Sequence, residues 1–184
     1  MMYMTVCETE PVSPDYKMLQ DFQPLWVPSK FAKSILDTQF GWDCRILRHW
    51  APIPRIPQLP LPSENPYIFY TIGNVVDPRK NIQALISAFQ KCKFPNARLV
   101  LKATCTKTIK LDIPNVVTIN GLLDHDMMEK IHQSGHCYVN CSHSEGVGMG
   151  AVEAALHDKP VIIGDYGGLK EYVRTPFVIR CPVG

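Results

Sequence analysis

From residue 67 onward two hydrophobic periods alternate along the chain. Tyr67-Ile-Phe-Tyr-Thr-Ile72, closed by Gly73, is a short aromatic and β-branched run that predicts a buried strand. Asp77-Pro78 then opens a predicted helix in which Ile82, Leu85, Ile86 and Phe89 recur at i, i+3, i+4 and i+7. The alternation continues. Ala97 to Leu101 and Val116 to Ile119 predict strands, Asp124 to Ser134 a helix carrying Met128 and Ile131, and His136 to Cys141 another strand. Met149 to His157 predicts a helix, Pro160 to Ile163 a strand, and Lys170 to Val173 a helical turn. Strands of four to six residues separated by single helices predict an α/β fold whose mostly parallel sheet is covered on both faces. Crossovers in such a sheet are right-handed, and ligands bind outside the carboxyl ends of its strands.

Proline sets the boundaries. Pro52, Pro54, Pro57, Pro60, Pro62 and Pro66 crowd one stretch, where missing donors and fixed φ exclude a helix or central strand. This divides the chain into a leading segment (1–50), a stiff connector (51–66) and an α/β unit (67–184). In the leading segment Ser29 is placed to cap a short helix through Leu36, and Trp26, Trp42 and Trp50 suggest packing onto a neighbour.

The 184 residues suffice for a core, and 46% hydrophobic content argues against disorder. A net charge of +2 argues against a charge-driven nucleic-acid binder. No apolar run has the length of a spanning helix, and the first residues lack the basic and apolar regions of a secretion signal, so a cytoplasmic protein with no transmembrane segment is expected. Seven scattered cysteines suit a reducing compartment. His136, Cys137, Cys141 and His143 resemble a metal ligand set, but as a strand they send residues 137, 139 and 141 to one face and His136 to the other, so no metal site is expected.

Three features carry chemistry. Ser144-Glu-Gly146-Val-Gly148-Met149-Gly150 is a glycine-rich turn between a strand end and a helix start, where backbone N–H groups and the helix dipole favour an anion. The turn equally suits a purely structural role, and its spacing fits neither a dinucleotide fingerprint nor a phosphate-binding P-loop. Glu145 and Glu153, eight positions apart, fall on one side of the structure if the turn continues the helix, while Glu153 also fits a solvated face. Arg79 and Lys80 place two cations at a helix start, where an anionic partner or simple pairing with Asp77 would explain them.

Together these residues resemble the signature of the group 1 (family 4) retaining glycosyltransferases. The match consists of Glu145-Gly-Val-Gly, Glu153 after seven intervening residues, the strand from Pro160, the Gly167-Gly168 loop and Glu171. Ile72-Gly73, Arg79-Lys80-Asn81, Trp26-Val-Pro-Ser29 and a Glu8-Thr9 turn extend it from about residue 5 to residue 173. The resemblance implies the C-terminal, donor-binding Rossmann-like half of a two-domain (GT-B) enzyme, preceded by the tail of the acceptor domain or an interdomain link. It implies a hexosyltransferase, weakly active or incomplete as this chain alone, that retains anomeric configuration without a metal. The donor would be a UDP-sugar or GDP-sugar, and the acceptor an unknown glycan, lipid or small molecule. A missing N-terminal domain or self-association is the partner it suggests. Arg79 and Lys80 would neutralise the diphosphate, the backbone of Gly146, Gly148, Met149 and Gly150 would approach it, Glu153 would grip the ribose, and Glu145 would face the transferred sugar. Asn74, Val147 and Gly150 depart from the family pattern, at positions where arginine, an aromatic residue and proline are common. A non-catalytic nucleotide-binding or interaction module is the alternative.

Overall fold

The computed structural model describes residues 3–8, 10–55 and 66–182. Most of the proline-rich connector, and Thr9 of the Glu-Thr turn, lie outside the described residues.

The leading segment forms a small unit. Strands β1 (Tyr3–Met4), β2 (Leu25–Val27) and β3 (Cys44–Ile46) pair in parallel in that order, and helix α1 (Lys30–Phe40) covers them. Cys7, Leu25, Val27, Ala32, Ile35, Leu36 and Cys44 make its own apolar core. Ser29 does cap α1, its hydroxyl accepting from the Ala32 N–H at 3.1 Å, but the helix runs on past Leu36 to Gly41, whose left-handed backbone ends it. Trp42 stacks on Phe40, whereas Trp50 is 79% exposed among the described residues, contrary to the expectation from its apolar character.

The second unit is a six-stranded parallel sheet in the order β6-β5-β4-β7-β8-β9, built from β4 (Tyr67–Gly73), β5 (Ala97–Ala103), β6 (Val116–Ile119), β7 (Cys137–Asn140), β8 (Val161–Gly164) and β9 (Val178–Cys181). Counted within this sheet the order is 3-2-1-4-5-6, that of a Rossmann unit, with β4 and β7 flanking the point where the winding reverses. Helices α2 (Ile82–Cys92), α3 (His125–Ser134), α4 (Met149–Leu156) and α5 (Leu169–Tyr172) complete it. Period-2 alternation divides the core. Cys137 and Val139 pack with Leu85, Ile86 and Phe89 of α2, while Tyr138 faces Ala151 and Ala154 of α4.

Two local differences from the sequence pattern have physical causes. Pro78–Lys80 is a separate 3₁₀ turn, capped by Asp77, and Asn81 in the left-handed region (φ 52°) re-aims the chain before α2 begins, so the two cations sit on the turn and not in the helix. The edge strand β9, unpredicted, is largely exposed and shows no apolar alternation to read.

Glu171 fastens the two units. Its Oε1 accepts from the Phe31 N–H at 2.9 Å in the first turn of α1, and its Oε2 lies 3.3 Å from Arg48. The neighbouring Tyr172 hydroxyl donates to the Pro28 carbonyl and accepts from the His49 N–H at 3.0 Å. Glu171→Ala is expected to cost about 1–2 kcal/mol in urea unfolding, the price of one lost cap and one half-exposed ion pair.

Candidate functional site

The carboxyl ends of β4, β5 and β7 open into a cleft of about 370 Å³. Ile72 and Gly73 come from β4, Thr104 from just past β5, Tyr138 and Asn140 from β7, and Gly148, Met149, Gly150 and Glu153 from the start of α4. Lys80 and Glu145 complete the inner wall, and Val6, Glu8 and His49 reach in from the leading segment. The cleft therefore lies at the reversal of strand order, where open α/β sheets bind ligands.

Glu145 is its electrostatic centre. The carboxylate is 3% exposed. Its Oε1 accepts from Lys80 Nζ at 2.6 Å, Ser142 Oγ at 2.7 Å and Asn140 Nδ2 at 3.3 Å, and its Oε2 lies 3.5 Å from Arg79 Nη1. Burial by itself would raise the carboxyl, but the Lys80 charge and the donors Lys80, Ser142 and Asn140 outweigh it and hold the group below its ordinary value. Arg79 is shared among carboxylates, at 2.9 Å from Glu8, 3.2 Å from Asp77 and 3.5 Å from Glu145. Glu8 is pushed the other way, upward, because its burial outweighs the nearby guanidinium.

Of the residues singled out in the sequence, Lys80, Glu145, Gly148, Met149, Gly150 and Glu153 line the same cleft, whereas Arg79 and Gly146 are not among its lining residues. Arg79 clamps the loop, donating to the Ser144 carbonyl at 2.8 Å. Gly146 is a close-approach position, where a Cβ would come within 2.8 Å of the Val6 side chain. Gly148 caps α4 in the left-handed region (φ 78°), so the turn does not continue the helix direction, yet both glutamates line the one cleft. No side chain caps α4, and while the Ala151 and Val152 N–H groups donate to the Gly148 carbonyl at 3.0 and 3.2 Å, those of Met149 and Gly150 at the helix tip face the cleft end of the helix. Sequence reasoning missed Asn140 and Ser142, the clamps on Glu145, although polar residues at the end of a buried strand were the available signal.

On the far side of Glu153 lies a buried histidine pair. His132 and His157 stack at 5.0 Å with planes 11° apart, and Tyr70 Oη lies 2.9 Å from His132 Nδ1. Burial, then the adjacent His132, push His157 down to about 4. A histidine with a depressed folded value stabilises while neutral. Its contribution is present above about pH 6.5 and is lost as pH falls toward 4. Urea unfolding is thus expected to show about 2–3 kcal/mol of lost stability over that window, flattened in His157→Phe.

The family described as glycosyl transferases group 1 matches residues 53–177. The chain belongs to that family. Solved structures agree on the fold of this group 1 chain. HepE from Anabaena, in complex with UDP and glucose, superposes with a TM-score of 0.74 at 16% identity, over 97% of this chain and 57% of that one. Sucrose-phosphate synthase from Thermosynechococcus elongatus gives 0.70 at 21% identity, over 86% and 45%. TarM gives 0.71 at 16%, over 97% and 40%. The group 1 chain thus spans about half the length of these GT-B structures or less. No curated protein sequence gives a significant match. Among the described residues, no helix is long and apolar enough to cross a membrane.

Proposed function

We propose that this chain is the donor-binding part of a retaining glycosyltransferase that holds a nucleoside diphosphate sugar for transfer to an acceptor. The observation that carries the reading is the convergence of Lys80, the uncapped first turn of α4, Glu145 and Glu153 on one cleft at the strand-order reversal. Charge that develops on a departing nucleoside diphosphate calls for cations and backbone donors fixed in advance, and Lys80 with the α4 tip supplies both. Glu153, one helical turn deeper, has the reach for ribose hydroxyls. Glu145, nearest Lys80, is assigned to the transferred sugar. Arg79 is assigned a clamping role, with diphosphate contact open to it only when Glu8 lets go.

The donor is assigned as a UDP-sugar or a GDP-sugar. The UDP assignment draws on the solved complexes of HepE with UDP and glucose and of the pneumococcal O-GlcNAc transferase GtfA with UDP and GlcNAc. Calorimetric titration with UDP, GDP and their sugar conjugates tests the reading. Binding that falls about tenfold or more in Glu153→Ala and in Lys80→Met is expected, and no binding by the wild type to any of them would sink it.

One feature favours the second reading, a module without turnover: in the free chain Arg79 and Lys80 are already neutralised by Glu8, Asp77 and Glu145. Glu145→Gln decides between the two. Loss of transfer in the chain supplied with an acceptor domain marks an enzyme, and nucleotide binding with no transfer by wild type marks a scaffold.

A further inference from the structure

Resting on the assignment of Glu153 to the ribose, we propose that His132 is a positioning residue for that carboxylate: its imidazole, fixed from behind by Tyr70, presents an Nε2–H donor that holds one oxygen of Glu153. Helix α3 brings His132, α4 brings Glu153, and the residue just past α4 is His157, all three lining a small cavity of about 110 Å³ with Pro52, Met128 and Glu129. Glu153 lines this cavity and the main cleft, so it is the wall between them.

The tautomer follows from the neighbours. The Tyr70 hydroxyl lies 2.9 Å from Nδ1 of His132, within reach to donate to it, and Glu153 Oε2 faces Nε2 at 3.5 Å, so the tautomer that suits both neighbours carries its hydrogen on Nε2. The opposite tautomer would aim a bare nitrogen lone pair at a carboxylate oxygen. His132 is 2% exposed, its Nε2 lies 3.5 Å from Glu153 Oε2, and that nitrogen has no hydrogen-bond partner among the described residues. A buried donor left unpaired is costly, and a slight shortening of the gap to Glu153 Oε2 satisfies it. His157, stacked flat on His132, fixes the ring plane. With Oε2 held, Oε1 of Glu153 is the oxygen left to accept from a ribose hydroxyl.

The arrangement separates the two ring nitrogens, and so does its test. His132→Asn keeps an amide near Nδ1 and loses the group facing Glu153, whereas His132→Gln carries an amide N–H to the Nε2 position. With UDP and GDP as probes, binding of whichever nucleotide the wild type prefers is expected to weaken about tenfold in His132→Asn and to recover to within about threefold in His132→Gln. Inorganic pyrophosphate, which has no ribose, binds all three alike. Equal weakening in both variants, no weakening in either, or a parallel loss of pyrophosphate binding overturns the proposal in favour of simple packing. Wild type that binds neither nucleotide overturns the reading of Glu153 itself. The link between the two side chains is read without any nucleotide by ¹⁵N NMR of the His132 ring. An Nε2–H tautomer whose Nε2 shift moves in Glu153→Gln supports it, and an Nδ1–H tautomer, or a shift indifferent to Glu153→Gln, overturns it.

Discussion

Replacing Glu145 with alanine is expected to lower the stability of the chain by about 3–5 kcal/mol in urea unfolding at pH 7, because it removes a buried, fully hydrogen-bonded carboxylate and strands the largely covered Lys80 ammonium, while Arg79 keeps Glu8 and Asp77. Lys80 Nζ, at 2.6 Å, loses its counter-charge, and the Lys80 and Arg79 side chains are only 19% and 20% exposed. Ser142 and Asn140 lose their acceptor at the same time. Glu145→Gln keeps the volume and an acceptor oxygen, so its loss is expected to be about half as large. A Lys80→Met change in the alanine background should recover part of the deficit, since it removes one stranded charge; strict additivity would show that Lys80 and Glu145 do not interact energetically. The pH dependence has a definite sign. A carboxyl whose folded value is held below its unfolded one contributes stability above about pH 4.5 and loses it as pH falls through the depressed value. Glu8 acts oppositely, since burial raises it and its folded form gains from protonation. The wild type should therefore lose stability below about pH 4.5 in a step that Glu145→Gln removes.

The sheet was legible because a parallel strand buried on both faces reads as a short apolar run, and β4, β5, β7 and β8 each do. The lengths of β5 and α1 were less so. Lys102 is polar, yet it lies inside β5 with its ammonium donating to the Ala103 and Gly121 carbonyls, a compensation that no hydropathy pattern displays. Strands β1 to β3, of two or three residues each, are too short to show a period. At the site, the residue types were readable but the pairing was not. Two cations beside a helix start suggested a free anion site. Folding instead brings Glu145 from 65 positions away onto Lys80, and Glu8 from the leading segment onto Arg79. The Lys80–Glu145 contact is set by the crossover between β4 and β7, and the Glu8–Arg79 contact by the approach of the leading segment, so both emerge only once the tertiary arrangement is known. The His132 and Tyr70 pairing escaped notice for the same reason, being 62 positions apart.

Gly168→Ala is expected to cost at least about 3–5 kcal/mol or to prevent folding, a larger effect than any surface change in the same loop. Its φ of −64° is ordinary, so the cost is steric. A Cβ built there would stand 2.0 Å from the Gly146 carbonyl oxygen, 2.4 Å from its carbon and 2.9 Å from the Val147 nitrogen. All three are backbone atoms, so no rotamer can relieve the clash. The loop cannot retreat either, because the Gly168 N–H donates to the Glu145 carbonyl at 2.7 Å, and Gly167, at φ 67°, is packed 2.7 Å from that same oxygen in Cβ terms. Gly121→Ala is the control: φ is 87° but the surrounding space is open, so backbone strain alone should cost about 1 kcal/mol. If the two variants unfold at the same urea midpoint, the close approach between the Gly-Gly loop and the Glu145 turn is not what holds the cleft together. If Gly168→Ala is the severe one, the position of the Glu145 carboxylate depends on a backbone contact made from the far side of the cleft wall. Changes in the β8–α5 loop would then shift Glu145 relative to Lys80 without touching either side chain.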